Sequence, residues 1–118
     1  MPNQDGGIPY ASKISKPNPP YYIMMKLDVT FFVKPEVWIV LKELSWGDRF
    51  EHDLLAKVDK EVDDYSLPFK EVADRLVEAG ICYRFKGGKA NPYLTLTEKG
   101  WTITEKFLAV EDILNDWV

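Results

Sequence analysis

The segment from Gly80 to Gly100 constrains the fold of this 118-residue chain more than any other part of the sequence. It contains two short runs of alternating apolar and polar residues, separated by Lys-Gly-Gly-Lys at positions 86–89. Alternation with a period of two predicts β-strands, and adjacent glycines supply the positive φ angles of a tight turn. No aspartate or glutamate occurs between Ile81 and Thr97. The segment is therefore predicted to be a β-hairpin with a basic tip.

An amphipathic helix is predicted directly before this hairpin. Five apolar residues at helical spacing share one face: Phe69, Val72, Ala73, Leu76 and Val77. Ser66 is expected to cap this helix, and Pro68 fits within its first turn. Gly80 suits the left-handed position that follows a helix end. The opposite face carries charges of both signs: Lys70, Glu71, Asp74, Arg75 and Glu78.

Two further helices are predicted upstream. Residues 35–45 form the first, with these apolar residues at helical spacing: Val37, Trp38, Val40, Leu41 and Leu44. Residues 49–60 form the second, because Asp48 and Glu51 have the spacing of a capping box. Its apolar face is predicted to contain Phe50, Leu54, Leu55, Val58 and Val62. The acidic run at 59–64 is interpreted as a solvated connector.

The last helix is predicted over residues 98–116, with Thr97 as its cap. Five apolar residues spaced four, three, four and three form a heptad seam, which is predicted to join two subunits: Ile103, Phe107, Val110, Leu114 and Trp117. A second apolar set widens this surface: Trp101, Leu108 and Ile113. One side is expected to pack on the helix's own domain and another on the same helix of a second subunit. The alternative is a terminal helix packed wholly on its own domain.

Residues 1–25 differ in composition from the rest of the chain. Five of the eight prolines lie there: Pro2, Pro9, Pro17, Pro19 and Pro20. Such a composition favours extended or disordered backbone. The segment is predicted to be a flexible arm, either a free tail or one that packs on a partner subunit. Residues 26–118 are predicted to form one domain that includes the last helix, and 25–33 its first strand or the approach to its first helix.

Composition limits the classes of function. The single cysteine, Cys82, excludes an internal disulfide and is expected to be a small strand residue, while the single histidine, His52, is expected at the surface. The sequence has no nucleophile motif or phosphate-binding loop, so neither an enzyme nor a cofactor is expected. No apolar run approaches the ~20 residues of a membrane span, and a soluble, cytoplasmic protein is expected.

Three motifs together resemble the winged helix-turn-helix regulators of the HxlR, PadR and MarR type. They are Gly-Asp-Arg-Phe at 47–50, Arg-Leu-Val-Glu-Ala-Gly-Ile at 75–81 and Leu-Thr-Glu-Lys-Gly at 96–100. The resemblance covers residues 35–117. It implies an α+β, mostly α fold and a homodimer joined through its terminal helices. It also implies a recognition helix, here the helix between Ser66 and Gly80, in the major groove of DNA and a hairpin wing on the adjacent backbone or minor groove.

The partner predicted from this resemblance is double-stranded DNA. The candidate DNA-contacting residues on the recognition helix and wing are Ser66, Lys70, Arg75, Arg84, Lys86 and Lys89. Against this stand the net charge of -4 and a recognition helix with three acids and two bases on its polar face. DNA binders usually carry net positive charge, although the local field decides the interaction. The alternative is an acidic winged helix that binds another protein and has little or no affinity for DNA.

Overall fold

The computed structural model describes residues 27–86 and 91–116. The predicted arm at 1–25 lies outside the described residues. The elements in chain order are α1 (Val29–Phe32), α2 (Pro35–Leu44), β1 (Arg49–Phe50), α3 (Glu51–Glu61), α4 (Phe69–Glu78), β2 (Cys82–Lys86), β3 (Pro92–Leu96) and α5 (Glu98–Asp116). The predicted α+β, mostly α architecture is confirmed. The segment before α2, predicted as a strand or an approach to a helix, contains the short helix α1.

The three strands form one antiparallel sheet in the order β1–β3–β2. Cys82 pairs with Leu96, and both side chains are buried on the inner face of the sheet. Arg84 shares that face, because alternate residues of a strand point to the same side. Tyr83 and Phe85 point to the outer face and are exposed. The hairpin is therefore confirmed, with its strand aromatics on the solvent side.

The core lies between the helices and the inner face of the sheet. Every helix from α2 to α4 contributes buried apolar side chains, and β3 contributes two more: Val37, Val40, Leu41, Leu44, Leu54, Val58, Val72, Ala73, Leu76, Leu94 and Leu96. The predicted apolar faces of α2 and α4 are confirmed. The face predicted for α3 is only partly right, because Phe50 and Leu55 are exposed.

The start predicted for α3 is wrong. Arg49 and Phe50 pair with β3, so the helix begins at Glu51. Its N-cap residue is Phe50, which makes no capping side-chain hydrogen bond, and the predicted capping box with Asp48 does not form. The Glu51 carboxylate instead accepts from Arg84 Nε at 2.6 Å. The start of α3 is thus fixed by strand pairing with β3 and by the Glu51–Arg84 ion pair, and not by a capping side chain.

The acidic connector is shorter than predicted. Helix α3 continues to Glu61, so the first half of the run 59–64 is helical. Residues 62–68 join α3 to α4, and Val62 in this connector is buried. Tyr65 donates its hydroxyl to Asp59 Oδ1 at 2.8 Å, which ties the connector back to α3.

The start of α5 meets the chain directly after the end of α4. Gly80 has φ +76°, which confirms its predicted left-handed position. Thr97 Oγ1 accepts from the backbone N–H of Gly100 at 2.9 Å, which confirms Thr97 as the cap of α5. The backbone N–H of Thr97 also donates to the Ile81 carbonyl at 3.0 Å. Lys99 Nζ donates to the Ala79 carbonyl at 3.0 Å, one of those left free at the end of a helix.

Gly100 allows these two helix ends to approach each other. A Cβ at this position would lie 2.1 Å from the Ile81 carbonyl oxygen and 3.2 Å from Leu96 Cδ2. A methyl group cannot occupy that space unless the backbone moves. The glycine of the Leu-Thr-Glu-Lys-Gly motif is therefore a requirement of packing, because its position within α5 needs no unusual φ.

We predict that Gly100→Ala lowers the free energy of unfolding by about 2–3 kcal/mol, the usual effect of overpacking. Intrinsic helix propensity alone would have the opposite effect and raise the free energy of unfolding by about 1 kcal/mol, because alanine favours a helix more than glycine does. The matched control is Gly80→Ala, where no atom lies within 4 Å of the new Cβ and the cost is about 1–2 kcal/mol of left-handed backbone strain. Urea denaturation measures both. A stabilised Gly100→Ala variant would contradict the close approach to Ile81.

Candidate nucleic-acid interface

The polar face of α4 is electrically close to neutral. Lys70 Nζ lies 3.0 Å from Asp74 Oδ2, and Arg75 Nη2 lies 2.6 Å from Glu71 Oε2. Both are i,i+4 pairs along one helix. The hydrogen bond from Lys70 outweighs burial and, with a further one from Arg84, holds the pKa of Asp74 below its ordinary value. The two predicted DNA-contacting cations of α4 therefore each have a carboxylate partner.

Arg84 connects the hairpin to two helices. Its Nε lies 2.6 Å from Glu51 Oε2 at the start of α3, and its Nη2 lies 3.0 Å from Asp74 Oδ1 on α4. Arg84 therefore holds β2 beside the predicted recognition helix. Its contact with phosphate stays a prediction, since the guanidinium is already engaged by two carboxylates.

The turn before α4 is organised by Glu36, which is 2% exposed. Glu36 Oε2 accepts from the Ser66 backbone N–H at 2.9 Å, the Ser66 hydroxyl at 3.0 Å and the Leu67 N–H at 2.9 Å. The predicted cap is wrong, because Pro68 precedes the first residue of α4 and no side chain caps the helix. Ser66 is instead bound to the carboxylate of α2, and its place in a DNA contact stays a prediction.

Sequence reasoning missed Glu36. Burial opposes ionisation of this carboxyl, but its backbone and hydroxyl donors outweigh burial and hold its pKa below the ordinary value. The available signal was its position beside Val37 at the start of α2, where the apolar stripe begins. The sequence did not reveal that the backbone N–H groups of Ser66 and Leu67 and the Ser66 hydroxyl lie within hydrogen-bond distance of this carboxylate.

The basic end of the wing is only partly described. Lys86 is the last residue of β2 and is exposed. Lys89 and the rest of the tip lie outside the described residues. Of the predicted DNA-contacting residues, Lys70 and Arg84 meet at a shared partner, Asp74. Ser66 lies ahead of the first residue of α4.

An aromatic row on the outer face of the sheet was also missed. It runs from Tyr83 to Phe85, Tyr93, Phe50 and His52, with successive ring centroids 6.0, 5.5, 6.1 and 5.9 Å apart. The signal was the alternation in the hairpin, which places Tyr83 and Phe85 on one face. The contribution of Phe50 was hidden because its segment was predicted to be helical. The surface position predicted for His52 is confirmed.

Cys82 behaves as the predicted small strand residue. It is 2% exposed, and burial raises the pKa of its thiol to about 12. The thiol is therefore protonated at neutral pH and is a poor nucleophile. Over residues 27–86 and 91–116, no three histidine, cysteine, aspartate or glutamate side chains are grouped to hold a metal ion.

The predicted seam on α5 is divided between two environments. Ile103 and Phe107 are half-buried against the helix's own domain. Val110 is 51% exposed and Leu114 is 66% exposed. Trp117 lies outside the described residues. Helix α5 thus has a packed first half and an exposed apolar second half, and none of the described helices is long and apolar enough to cross a membrane.

Helix α5 is fixed against α2 by a mixed contact. The ring centroids of Phe107 and Trp38 are 5.9 Å apart. Glu111 accepts from Trp38 Nε1 at 2.9 Å and pairs with Lys42 Nζ at 3.0 Å. The hydrogen bonds from Trp38 and then Lys42 hold the pKa of Glu111 below its ordinary value. An open, mostly apolar groove remains at this contact, lined by Phe32, Val33, Trp38, Phe107, Val110, Glu111 and Leu114.

These elements define a winged helix-turn-helix: α3 and α4 form the helix pair, and the β2–β3 hairpin forms the wing. A solved transcriptional regulator from Clostridium thermocellum, Cth-833, is 18% identical, with 76% of this chain and 96% of that chain aligned at a TM-score of 0.51. The structure of a possible transcriptional regulator for arsenical resistance is 15% identical, with 77% and 97% covered at a TM-score of 0.48. No family model and no curated protein matches the sequence. The likeness to Cth-833 confirms the winged-helix fold expected from the sequence.

We predict that Glu36→Gln lowers the free energy of unfolding by about 2 kcal/mol at pH 7, because hydrogen bonds to a charged acceptor are replaced by weaker ones. The pKa of Glu36 is lowered on folding, so its contribution is complete above the ordinary value of 4.5 and is lost as pH falls through the folded value. Urea denaturation of both proteins across pH should show the gap closing in acid.

The control for Glu36 is Glu78→Gln, an exposed position on α4. This variant should unfold within about 0.5 kcal/mol of the wild type at every pH, as exposed surface substitutions usually do. A Glu36→Gln gap that is the same at pH 7 and in acid would contradict an ionised Glu36.

Proposed function

We propose that this protein is a dimeric, DNA-binding transcriptional regulator. The observation that carries this proposal is the double ion pair of Arg84 with Glu51 and Asp74, which fixes the wing beside α4. A helix and a wing held in a fixed relation can contact one duplex together, which is how this fold positions itself on DNA. The solved protein with this fold, Cth-833, is a transcriptional regulator, which agrees with the proposal.

The wing supplies most of the attraction to DNA. No acidic residue occurs between Ile81 and Thr97, so the field around Lys86 and Lys89 is locally positive. On α4, Lys70 and Arg75 are paired with Asp74 and Glu71, so each must leave its carboxylate in order to contact a DNA phosphate. Exposed ion pairs contribute only about 0–1 kcal/mol each, so this exchange costs little and also gains little. Contacts dominated by phosphate give weak preference for sequence.

The second half of α5 joins two subunits. Val110, Ile113 and Leu114 are all more than half exposed, and Val110 and Leu114 line the apolar groove between α2 and α5. A second copy of α5 in this groove buries both sets of side chains. The resulting two-fold dimer presents two wings, and it occludes or marks a promoter that contains two half-sites.

A second candidate is a winged helix that binds another protein. The neutral face of α4, with Lys70–Asp74 and Arg75–Glu71 paired, is the observation that favours it. A net charge of -4 also opposes nonspecific attraction to DNA. Recovery of a stoichiometric protein partner, together with no retention on duplex DNA at low salt, would support this candidate over the first.

We predict that the double variant Lys86→Ala/Lys89→Ala binds duplex DNA more weakly and with less dependence on salt. Each lost phosphate contact lowers the slope of log K against log salt by about 0.9, so the slope should fall by nearly two. Fluorescence anisotropy across a salt series measures it. Lys60→Ala, an exposed lysine at the other end of α3 from β1, is the control and should leave the slope unchanged. Equal binding by wild type and the double variant would remove the wing from the interface.

We predict that Leu114→Lys converts the dimer to a monomer. A charge in an apolar interface is strongly unfavourable, and dimer affinity should fall by at least about 100-fold. Light scattering measures the mass, and anisotropy with a two-site duplex should show a parallel loss of affinity. Glu105→Lys places the same side chain nine residues away on the opposite side of α5 and should remain dimeric. A wild type with the mass of one chain would contradict the proposed dimer.

A further inference from the structure

We propose that the outer face of the sheet binds unpaired bases of single-stranded DNA by stacking. This face is defined by Phe50, Tyr83, Phe85, Tyr93 and Thr95, and it is the side of the wing that points away from the core. The choice of DNA rests on the proposed function, in which the same wing meets a duplex. The inference itself concerns a surface of aromatic rings that the proposed duplex contact does not use, although Lys86 is shared by both.

The rings form a continuous platform because of the strand register. Phe85 pairs with Tyr93 across β2 and β3, and Phe50 pairs with Tyr93 across β1 and β3. Three rings therefore stand side by side across the sheet, at the same level along the strands. The Phe85 and Tyr93 rings are nearly parallel, at 26°, and the Phe50 ring stands at 78° to Tyr93. Tyr83 extends the row along β2, with its centroid 6.0 Å from Phe85.

The platform is open to solvent. Phe50 is 41% exposed, Phe85 is 45% exposed and Tyr83 is 57% exposed. The core lies wholly on the opposite face of the sheet, where Leu94 and Leu96 are buried. Aromatic side chains left exposed in a group, rather than singly, mark surfaces that bind a partner.

The charges around the platform suit a nucleic-acid strand at the end near the wing tip. The outer-face strand positions carry no charge. Lys86 follows Phe85 and, like Arg84, starts from the inner face, but β2 is an edge strand, so its long side chain can reach a phosphate around that edge. The acidic groups beside the platform, Asp48 and Asp53, flank its other end, near Phe50 and His52. A strand whose backbone follows the edge of β2, within reach of the Lys86 side chain, can place its bases on the exposed rings of Tyr83 and Phe85 and stay clear of these carboxylates.

The size of the platform favours bases over a folded partner. The exposed aromatic area is on the order of 300 Å², taking about 200 Å² for each ring side chain. A stable protein–protein interface needs about 800 Å² on each partner. Stacking needs much less area, because each base uses one ring, and sheets with two or three exposed rings bind two or three bases in this way.

The experiment compares a fluorescein-labelled dT 12-mer with an abasic 12-mer that has the same phosphates and no bases. Anisotropy at low salt should show wild type binding the dT 12-mer at least about 10-fold more tightly. Tyr83→Leu should weaken dT binding by about 5- to 100-fold and leave abasic binding unchanged. Because Tyr83 is more exposed than Phe50, Phe85 and Tyr93, this variant is expected to fold. Phe85→Leu, checked by circular dichroism, is the second variant, and Leu55→Ala on α3 is the control.

The outcomes separate this inference from the proposed function. Equal affinity of wild type for the dT and abasic strands overturns base stacking, whatever the protein does with duplex DNA. Binding to neither strand also overturns it and leaves the platform to a protein partner. Preference for dT that is lost in Tyr83→Leu and Phe85→Leu supports stacking. If that preference is present and duplex binding is absent, the inference stands and the proposed function falls.

Discussion

The junction between the end of α4 and the start of α5 determines how the other parts of the fold are arranged. The Ile81 carbonyl accepts from the Thr97 backbone N–H, and Gly100 leaves room for that carbonyl to approach α5. Gly80 turns the chain at this point. The hairpin must leave and re-enter at the same place, so its two strands are held at their base. The junction therefore sets the direction of the wing and of α5 together.

Two carboxylates, one buried and one half-buried, fix the positions of the segments around the candidate interface. Glu36 holds the turn before α4 through Ser66 and Leu67, and Glu51 holds Arg84 on the wing. Both carboxylates lie in the first turns of helices, Glu36 in α2 and Glu51 in α3. The position of α4 relative to the wing therefore depends on charged groups. The contribution of Glu36, whose pKa is lowered, changes with pH, and that of the Glu51–Arg84 pair changes with salt.

Local sequence signals predicted the features that depend on a few neighbouring residues. Gly80, the Thr97 cap and the start of α5 were all correct, because each is decided by backbone conformation and hydrogen bonds within about four residues. The caps predicted at Asp48 and Ser66 were wrong, because residues distant in the chain bind these segments instead. Residues 49–50 pair with β3, and the Ser66 hydroxyl donates to Glu36. Predicting the outer aromatic row would also have required the strand register. Strand β1 was not predicted, because its residues fit the apolar spacing of a helix.

A net charge of -4 and a DNA-binding wing are compatible because the charges are unevenly distributed. On α4, acids and bases cancel through pairs one helical turn apart, so that helix adds little to the field. On the wing, acids are excluded from Ile81 to Thr97, and bases and aromatic rings remain. A surface of this kind attracts phosphate through its tip and offers rings to unpaired bases on its outer face. In the proposed function, the wing therefore supplies more of the charge and ring surface available to a nucleic acid than α4 does.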